Sequence, residues 1–410
     1  MHSKLGLALG AVAITAVALT GCSTGPSTSA DSPGVTADTI SIGTISDQTG
    51  PTASIQLPWL HGVQSAFDKV NKDGGINGRK IDLLSEDDKY DVAIGQPAFK
   101  KLVSQTPTAA IMGLNTSNVQ AAITPLLKQS AIPLLSGQAT IKEAVSPINP
   151  YFFGLTPTYA DQVDVILDYA AKRVDKKNFT VAVIDNGTAS GLEVEDLVKE
   201  RAVDGIKYAG AVVIEAGAAS VDAQLQTIIG YDPDVIVFHG TSSAVNLIAR
   251  AQEKFGTHYP LIGIAPSGGP SAFAGVTPEF GNLYEYVQWA TPFPIKVKGT
   301  DDMVAAAKAA GFDKETNNPD FVAGYAGGLV MAQAIKDAGD DPTRKSIRDA
   351  LEKLDDFSTG GLTPNVSFGP KDHVGVQSLV PLKWDYSTSA FEAIGSYEDY
   401  TDAITNEYQK

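Results

Sequence analysis

From Thr39 onward, short β-branched runs alternate with stretches whose apolar residues recur at three- and four-residue spacing. Ile40, Ile42 and Ile45 mark a strand, and Leu60, Val63, Phe67 and Val70 fall on one face of a helix expected to open at Pro58 and stop at Gly74-Gly75. Asn77-Gly78 turns into a strand over 81–84, followed by helix 92–104, strand 109–112, helix 118–128 and strand 132–135. After Pro157 the alternation resumes with helix 159–173, strand 180–184, helix 191–202, strand 211–214, helix 221–229, strand 235–238, helix 243–254 and strand 261–264. A less regular stretch follows, with a strand near 283–289, helices near 301–310, 319–337 and 343–354, and β segments after Leu362. Strands separated by crossover helices imply right-handed βαβ packing, so the fold class is α/β with two doubly wound parallel-sheet lobes.

The amino terminus breaks this pattern. Lys4 precedes an apolar run from Leu5 to Leu19, then Thr20, Gly21 and Cys22, so 1–21 read as a signal peptide too short for a comfortable membrane span. Leu19-Thr20-Gly21-Cys22 resembles a bacterial lipobox, which makes Cys22, the one cysteine of the chain, the expected lipidation site and membrane anchor. Residues 22–38 are rich in Ser, Thr, Pro and Gly and read as a flexible tether. No apolar run near 20 residues follows, which argues against a transmembrane receptor.

Composition narrows the classes further. A formal net charge of −16 has the wrong sign for nucleic-acid binding. One cysteine leaves no intrachain disulfide and no multi-cysteine metal site, and the five histidines include no HExxH, so neither metal nor cofactor is expected. The cluster Glu86-Asp87-Asp88 with Asp91 lacks EF-hand spacing and reads as a solvated turn. His239 would need a nucleophile and an orienting acid to act as a base, and no GxSxG surrounds Ser242 or Ser267, so no catalytic residue is assigned.

The segments ISIGTISDQTGP (40–51), GVQSAFDKVNKDGGINGRKIDLLSEDD (62–88), PLLSGQAT (133–140), NPYFFGLTPT (149–158) and PDVIVFHG (233–240) together resemble the type I periplasmic binding-protein superfamily. The resemblance is to its leucine/isoleucine/valine-binding branch, which serves ABC importers. It implies two lobes joined by crossovers near 153–157, 286–292 and 366–376. Lobe 1 would comprise 39–155 with about 290–366, lobe 2 about 156–289 with 367–410, and the ligand would lie between them.

Ligands of open α/β sheets sit beyond the carboxyl ends of strands, which directs attention to the loops there. Asn115-Thr116-Ser117 leads from strand to helix with hydroxyls and free N–H groups suited to a carboxylate. The resemblance assigns this loop and Gln138-Ala139-Thr140 to carboxylate holding. It also marks departures: Thr188 and Ala189, and Thr241 and Ser242, stand where a tyrosine is common, and Ala265 of Ala265-Pro266-Ser267 stands where an acidic residue pairs with an α-ammonium. Trp59 and Trp289 are candidates for an aromatic wall, or core residues. Asp47 or Asp185 could restore the missing charge. The expectation is a monomeric, lipid-anchored binding protein, not an enzyme, delivering a small carboxylate without an α-ammonium to ABC permease subunits. Sensing for a separate signalling partner, binding of branched-chain amino acids and a secreted hydrolase are the alternatives.

Overall fold

A computed structural model describes residues 32–409, except 266 and 293. The expected signal peptide, Cys22 and the first part of the tether lie outside the described residues. Five strands form the first sheet: β1 (Thr39–Ser46), β2 (Lys80–Asp87), β3 (Ala110–Gly113), β4 (Leu134–Ser136) and β5 (Phe152–Gly154). Their order is β2-β1-β3-β4-β5, parallel throughout. The second sheet contains β6 (Phe179–Asp185), β7 (Ile206–Val213), β8 (Val235–Phe238), β9 (Leu261–Gly263), β10 (Tyr284–Gln288), β11 (Val380–Asp385) and β12 (Ala390–Ala393), ordered β12-β11-β10-β9-β8-β6-β7. The fold is therefore two-lobed α/β. Helices on both faces explain why a central strand such as Val235–Phe238 is apolar and buried at every position.

Several local expectations are corrected. The second sheet is not wholly parallel: β11 runs antiparallel to β10, and β12 antiparallel to β11. A short hairpin can close an antiparallel pair, whereas a parallel strand needs a long crossover, and only 386–389 separate β11 from β12. The first helix begins at Ala53, with Pro58 inside it. Proline removes one backbone donor there, but the helix is held along its length against helix Pro319–Asp337. β5 escaped the pattern because three residues beside Pro150 carry no period; its pairing with β4 makes it a strand. The folded body also starts before residue 39: Val35 is buried and bridges to Ile40, so the end of the expected tether is part of the core.

The close approach of helices Ala53–Lys72 and Pro319–Asp337 has a sequence cause. A Cβ on Gly62 would lie 2.2 Å from the Phe321 carbonyl oxygen, and one on Gly324 would lie 2.0 Å from that of Trp59. Only glycine fits at these two crossings. The contact holds the amino-terminal end of the first helix, with Ile55 and Gln56, at the carboxyl edge of the first sheet.

Candidate functional site

The carboxyl ends of both sheets face one compact cleft with about 490 Å³ of empty space, mouth included. The first-sheet wall comes from the loop after β1 and its helix (Thr52, Ile55, Gln56), the loop after β2 (Tyr90), the loop after β3 (Asn115, Ser117) and the loop after β4 (Gln138). The second-sheet wall holds Tyr159 at a helix start, Asn186 and Ser190 after β6, His239, Gly240 and Thr241 after β8, and Ile264 and Ser267 after β9. No Asp, Glu, Lys or Arg is among these lining residues. The cleft offers hydroxyls, amides and an imidazole.

Hydrogen bonds between the walls bring them together. Ser190 Oγ donates to Ser117 Oγ at 2.9 Å, Asn186 Nδ2 to Tyr90 Oη at 3.4 Å, and the Ala189 N–H to Asn118 Oδ1 at 3.2 Å. Thr188 caps helix Ala189–Glu200 by accepting from the Gly191 N–H, which fixes the loop that makes these contacts.

The carboxylates near the cleft are not among its lining residues, and Asp88 and Asp185 each keep one buried oxygen without a hydrogen-bond partner. Asp47 is buried, and its two carboxylate oxygens accept from the Gly50 N–H (2.5 Å), the Thr52 N–H (2.7 Å) and the Thr52 hydroxyl (2.7 Å). Asp88 accepts from the Tyr90 N–H and the Thr116 hydroxyl; burial pushes its carboxyl up to about 6, and Asp47 and Asp87 push in the same direction. Asp47, Asp87 and Asp88 converge closely enough to face one cation, yet their oxygens are largely taken by donors of the surrounding loop. Burial also raises Asp185, which accepts from the Gly187 N–H. His239 is pushed down to about 4 by burial and is neutral at physiological pH. Its ring lies 5.5 Å from that of Tyr159.

The sequence profile of the periplasmic binding protein family matches residues 39–390. The chain belongs to this family. It is therefore a binding protein rather than an enzyme, and membership implies an extracytoplasmic location. Among relatives, a Leu/Ile/Val-binding protein of Rhizobium johnstonii is 25% identical over 354 residues, covering 84% of this chain and 92% of that protein. Two solved structures share the fold. One is a fatty acid ABC transporter substrate-binding protein from Thermomonospora curvata (TM-score 0.80, 19% identity, 91% of this chain and 96% of that one). The other is a branched-chain amino acid ABC transporter protein from Thermus thermophilus with bound valine (TM-score 0.78, 18% identity, 88% and 96%). No helix among the described residues is long and apolar enough to cross a membrane.

Against this family background, the sequence-derived candidates divide. Asn115, Ser117, Gln138 and Thr241 line the cleft. Thr116 stands behind it, its hydroxyl accepting from Gln56 Nε2 at 3.1 Å. Thr140 is not brought to the cleft either: its hydroxyl donates to the Thr156 carbonyl at 2.7 Å, where the chain leaves the first sheet. Ala139 is buried beside it, its carbonyl accepting from Gln120 and Ser136. Thr188 and Ala189 belong to the bridging rim, and Ser242 and Ala265 are buried outside the lining. The Ala265 N–H donates to Gln162 Oε1 at 3.0 Å.

Trp59 and Trp289 form no wall, because both are core residues. Trp59 lies under the β4 loop, where a Cβ on Gly137 would come within 2.2 Å of its indole nitrogen. The aromatic side chains present are Tyr90 and Tyr159. Sequence reasoning passed over them because neither follows a strand at the family's tyrosine positions. The signal available for Tyr159 was its place directly after Thr158-containing NPYFFGLTPT, at the head of a helix closed by a Thr158–Asp161 capping box.

Proposed function

We propose that this protein is a lipid-anchored solute-binding protein whose lobes, 39–155 with about 290–366 and 156–289 with 367–410, close on a small carboxylate and deliver it to an ABC importer. The carrying observation is the charge-free cleft between two sheet ends. In this reading the carboxylate is held by the Asn115 amide, the Ser117 hydroxyl and the amino terminus of helix Ser117–Ser130, whose free N–H groups and dipole favour an anion. An α-ammonium would enter without a partner, because no carboxylate is among the lining residues and Asp47 already accepts three hydrogen bonds from its own loop. That costs several kcal/mol in a closed site, more than hydroxyl contacts return. The Thermomonospora curvata protein, named as a fatty acid binder, agrees with an acid lacking an ammonium group. The Leu/Ile/Val name of the Rhizobium relative points the other way.

Closure follows from differential affinity: solute contacts both walls only when they meet, so binding shifts the protein toward the closed form. The acyl chains on Cys22 and the Ser/Thr/Pro/Gly-rich segment after it would keep the binding body beside its permease. Native mass spectrometry of the purified protein identifies any retained solute, and a thermal-shift panel decides its class. Leucine, isoleucine and valine are compared with their 2-oxo and deamino analogues. Stabilisation by the amino acids alone overturns the proposal.

A further inference from the structure

The cleft holds four buried side-chain atoms with no hydrogen-bond partner in the protein: Asn115 Nδ2, Gln138 Oε1, and Nδ1 and Nε2 of His239. Gln138 is 2% exposed and His239 6%, so each depends on the solute for the hydrogen bonds it surrenders on closure.

Their chemistry is specific. Asn115 Oδ1 accepts from the Gly137 and Gln138 N–H groups, which leaves its Nδ2 as a donor suited to a carboxylate. Gln138 Nε2 donates to Asp320 Oδ1 at 3.0 Å and points toward the Ile55 carbonyl at 3.5 Å. That carbonyl can only accept, so the amide nitrogen stays on its side and Oε1 is left needing a donor. Neutral His239 presents one donor and one acceptor. A carboxylate answers Asn115, but an acceptor-only group cannot satisfy Gln138 Oε1 or the bare imidazole nitrogen. An ammonium could donate, but it would carry an unpaired charge. A hydroxyl donates its single proton to Gln138 Oε1 and accepts from the protonated nitrogen of His239, and it carries no charge.

Resting on the carboxylate reading above, we infer that the solute is a hydroxycarboxylic acid whose hydroxyl is read by Gln138 from one lobe and His239 from the other. Gln138 is in turn a residue positioned by Asp320, at the start of helix Pro319–Asp337.

Calorimetry with matched pairs tests this: propanoate against lactate, 4-methylpentanoate against 2-hydroxy-4-methylpentanoate, and 3-phenylpropanoate against 2-hydroxy-3-phenylpropanoate. In the pair that fits the cleft, the hydroxy acid should bind about tenfold tighter or more, since the plain acid leaves buried polar atoms unpaired. His239→Phe and Gln138→Met, each checked for wild-type circular dichroism, should shrink that preference to about twofold, read as the ratio of the two affinities within each variant. Equal binding of both members of a pair, or a preference that survives both substitutions, overturns the hydroxyl assignment and leaves the carboxylate reading standing. If no acid of any pair binds, both fall. Should a variant fail to fold, the wild-type pairs still decide.

Discussion

Replacing Gly324 with alanine tests the packing that sets the cleft. The new Cβ would sit 2.0 Å from the Trp59 carbonyl oxygen and 2.7 Å from its carbonyl carbon. Comfortable nonbonded separations are about 3.5–4.0 Å, so the helices would have to part by roughly 1 Å or more. Both offending atoms are backbone and cannot rotate away. Overpacking of this kind costs about 1–3 kcal/mol and occasionally more, while alanine returns up to about 1 kcal/mol of helix propensity. The expected outcome is a net loss of about 1–2 kcal/mol, read by urea unfolding as a lower midpoint at unchanged slope.

Gly230, within helix Asp222–Tyr231, is the control: nothing lies within 4 Å of its Cβ position. Gly230→Ala should therefore be neutral or stabilising by up to about 1 kcal/mol. A Gly324→Ala protein within about 0.5 kcal/mol of wild type would refute the close-contact reasoning, because that is the scatter of surface substitutions. Solute affinity should fall with stability, since the displaced helix carries Ile55 and Gln56 into the cleft.

Further outcomes follow from charge, closure and the anchor. Asp88 has its carboxyl raised to about 6 by burial, so its stabilising contribution is fully present below about pH 4 and is lost as pH rises through 6. Asp88→Asn should thus gain on wild type across pH 4–7, by up to about 3 kcal/mol at neutrality, in urea melts at several pH values; a pH-independent difference would contradict this. Ser190→Ala deletes a bond made only when the walls meet, worth about 0.5–1.5 kcal/mol, and should weaken binding of the solute recovered by mass spectrometry about two- to tenfold. Unchanged calorimetric affinity would remove that bond from the closure mechanism. Cys22→Ala should move the protein from the membrane to the soluble fraction or leave an uncleaved precursor, and fractionation identical to wild type would exclude the lipid anchor.

The alternation of β-branched runs with amphipathic stretches sufficed to place most strands and helices, because in parallel α/β architecture each element carries its own period and turn signals. It also located the loops that matter, since the carboxyl ends of strands are readable once the strands are. Asn115, Ser117, Gln138 and Thr241 could be named for that reason, and each lines the cleft. What a residue does within a loop was not readable in the same way. Thr140 and Thr116 have the same hydroxyl as a residue in the cleft, but backbone geometry turns Thr140 to the Thr156 carbonyl and sets Thr116 between Gln56 and Asp88.

Tyr90, Tyr159 and His239 enter the cleft only because two sheets, built from different segments of the chain, bring their edges together. Trp59 and Trp289 are likewise decided by neighbours, Gly137 and the core between the sheets, which no local pattern specifies. Periodicity along a chain records which face of an element is buried, and so the sequence by itself determined the elements, their order and the family. The direction of a side chain within an irregular loop depends on hydrogen bonds and contacts from distant segments, and so the tertiary structure alone decided which polar groups face the solute and which are consumed in holding the cleft together.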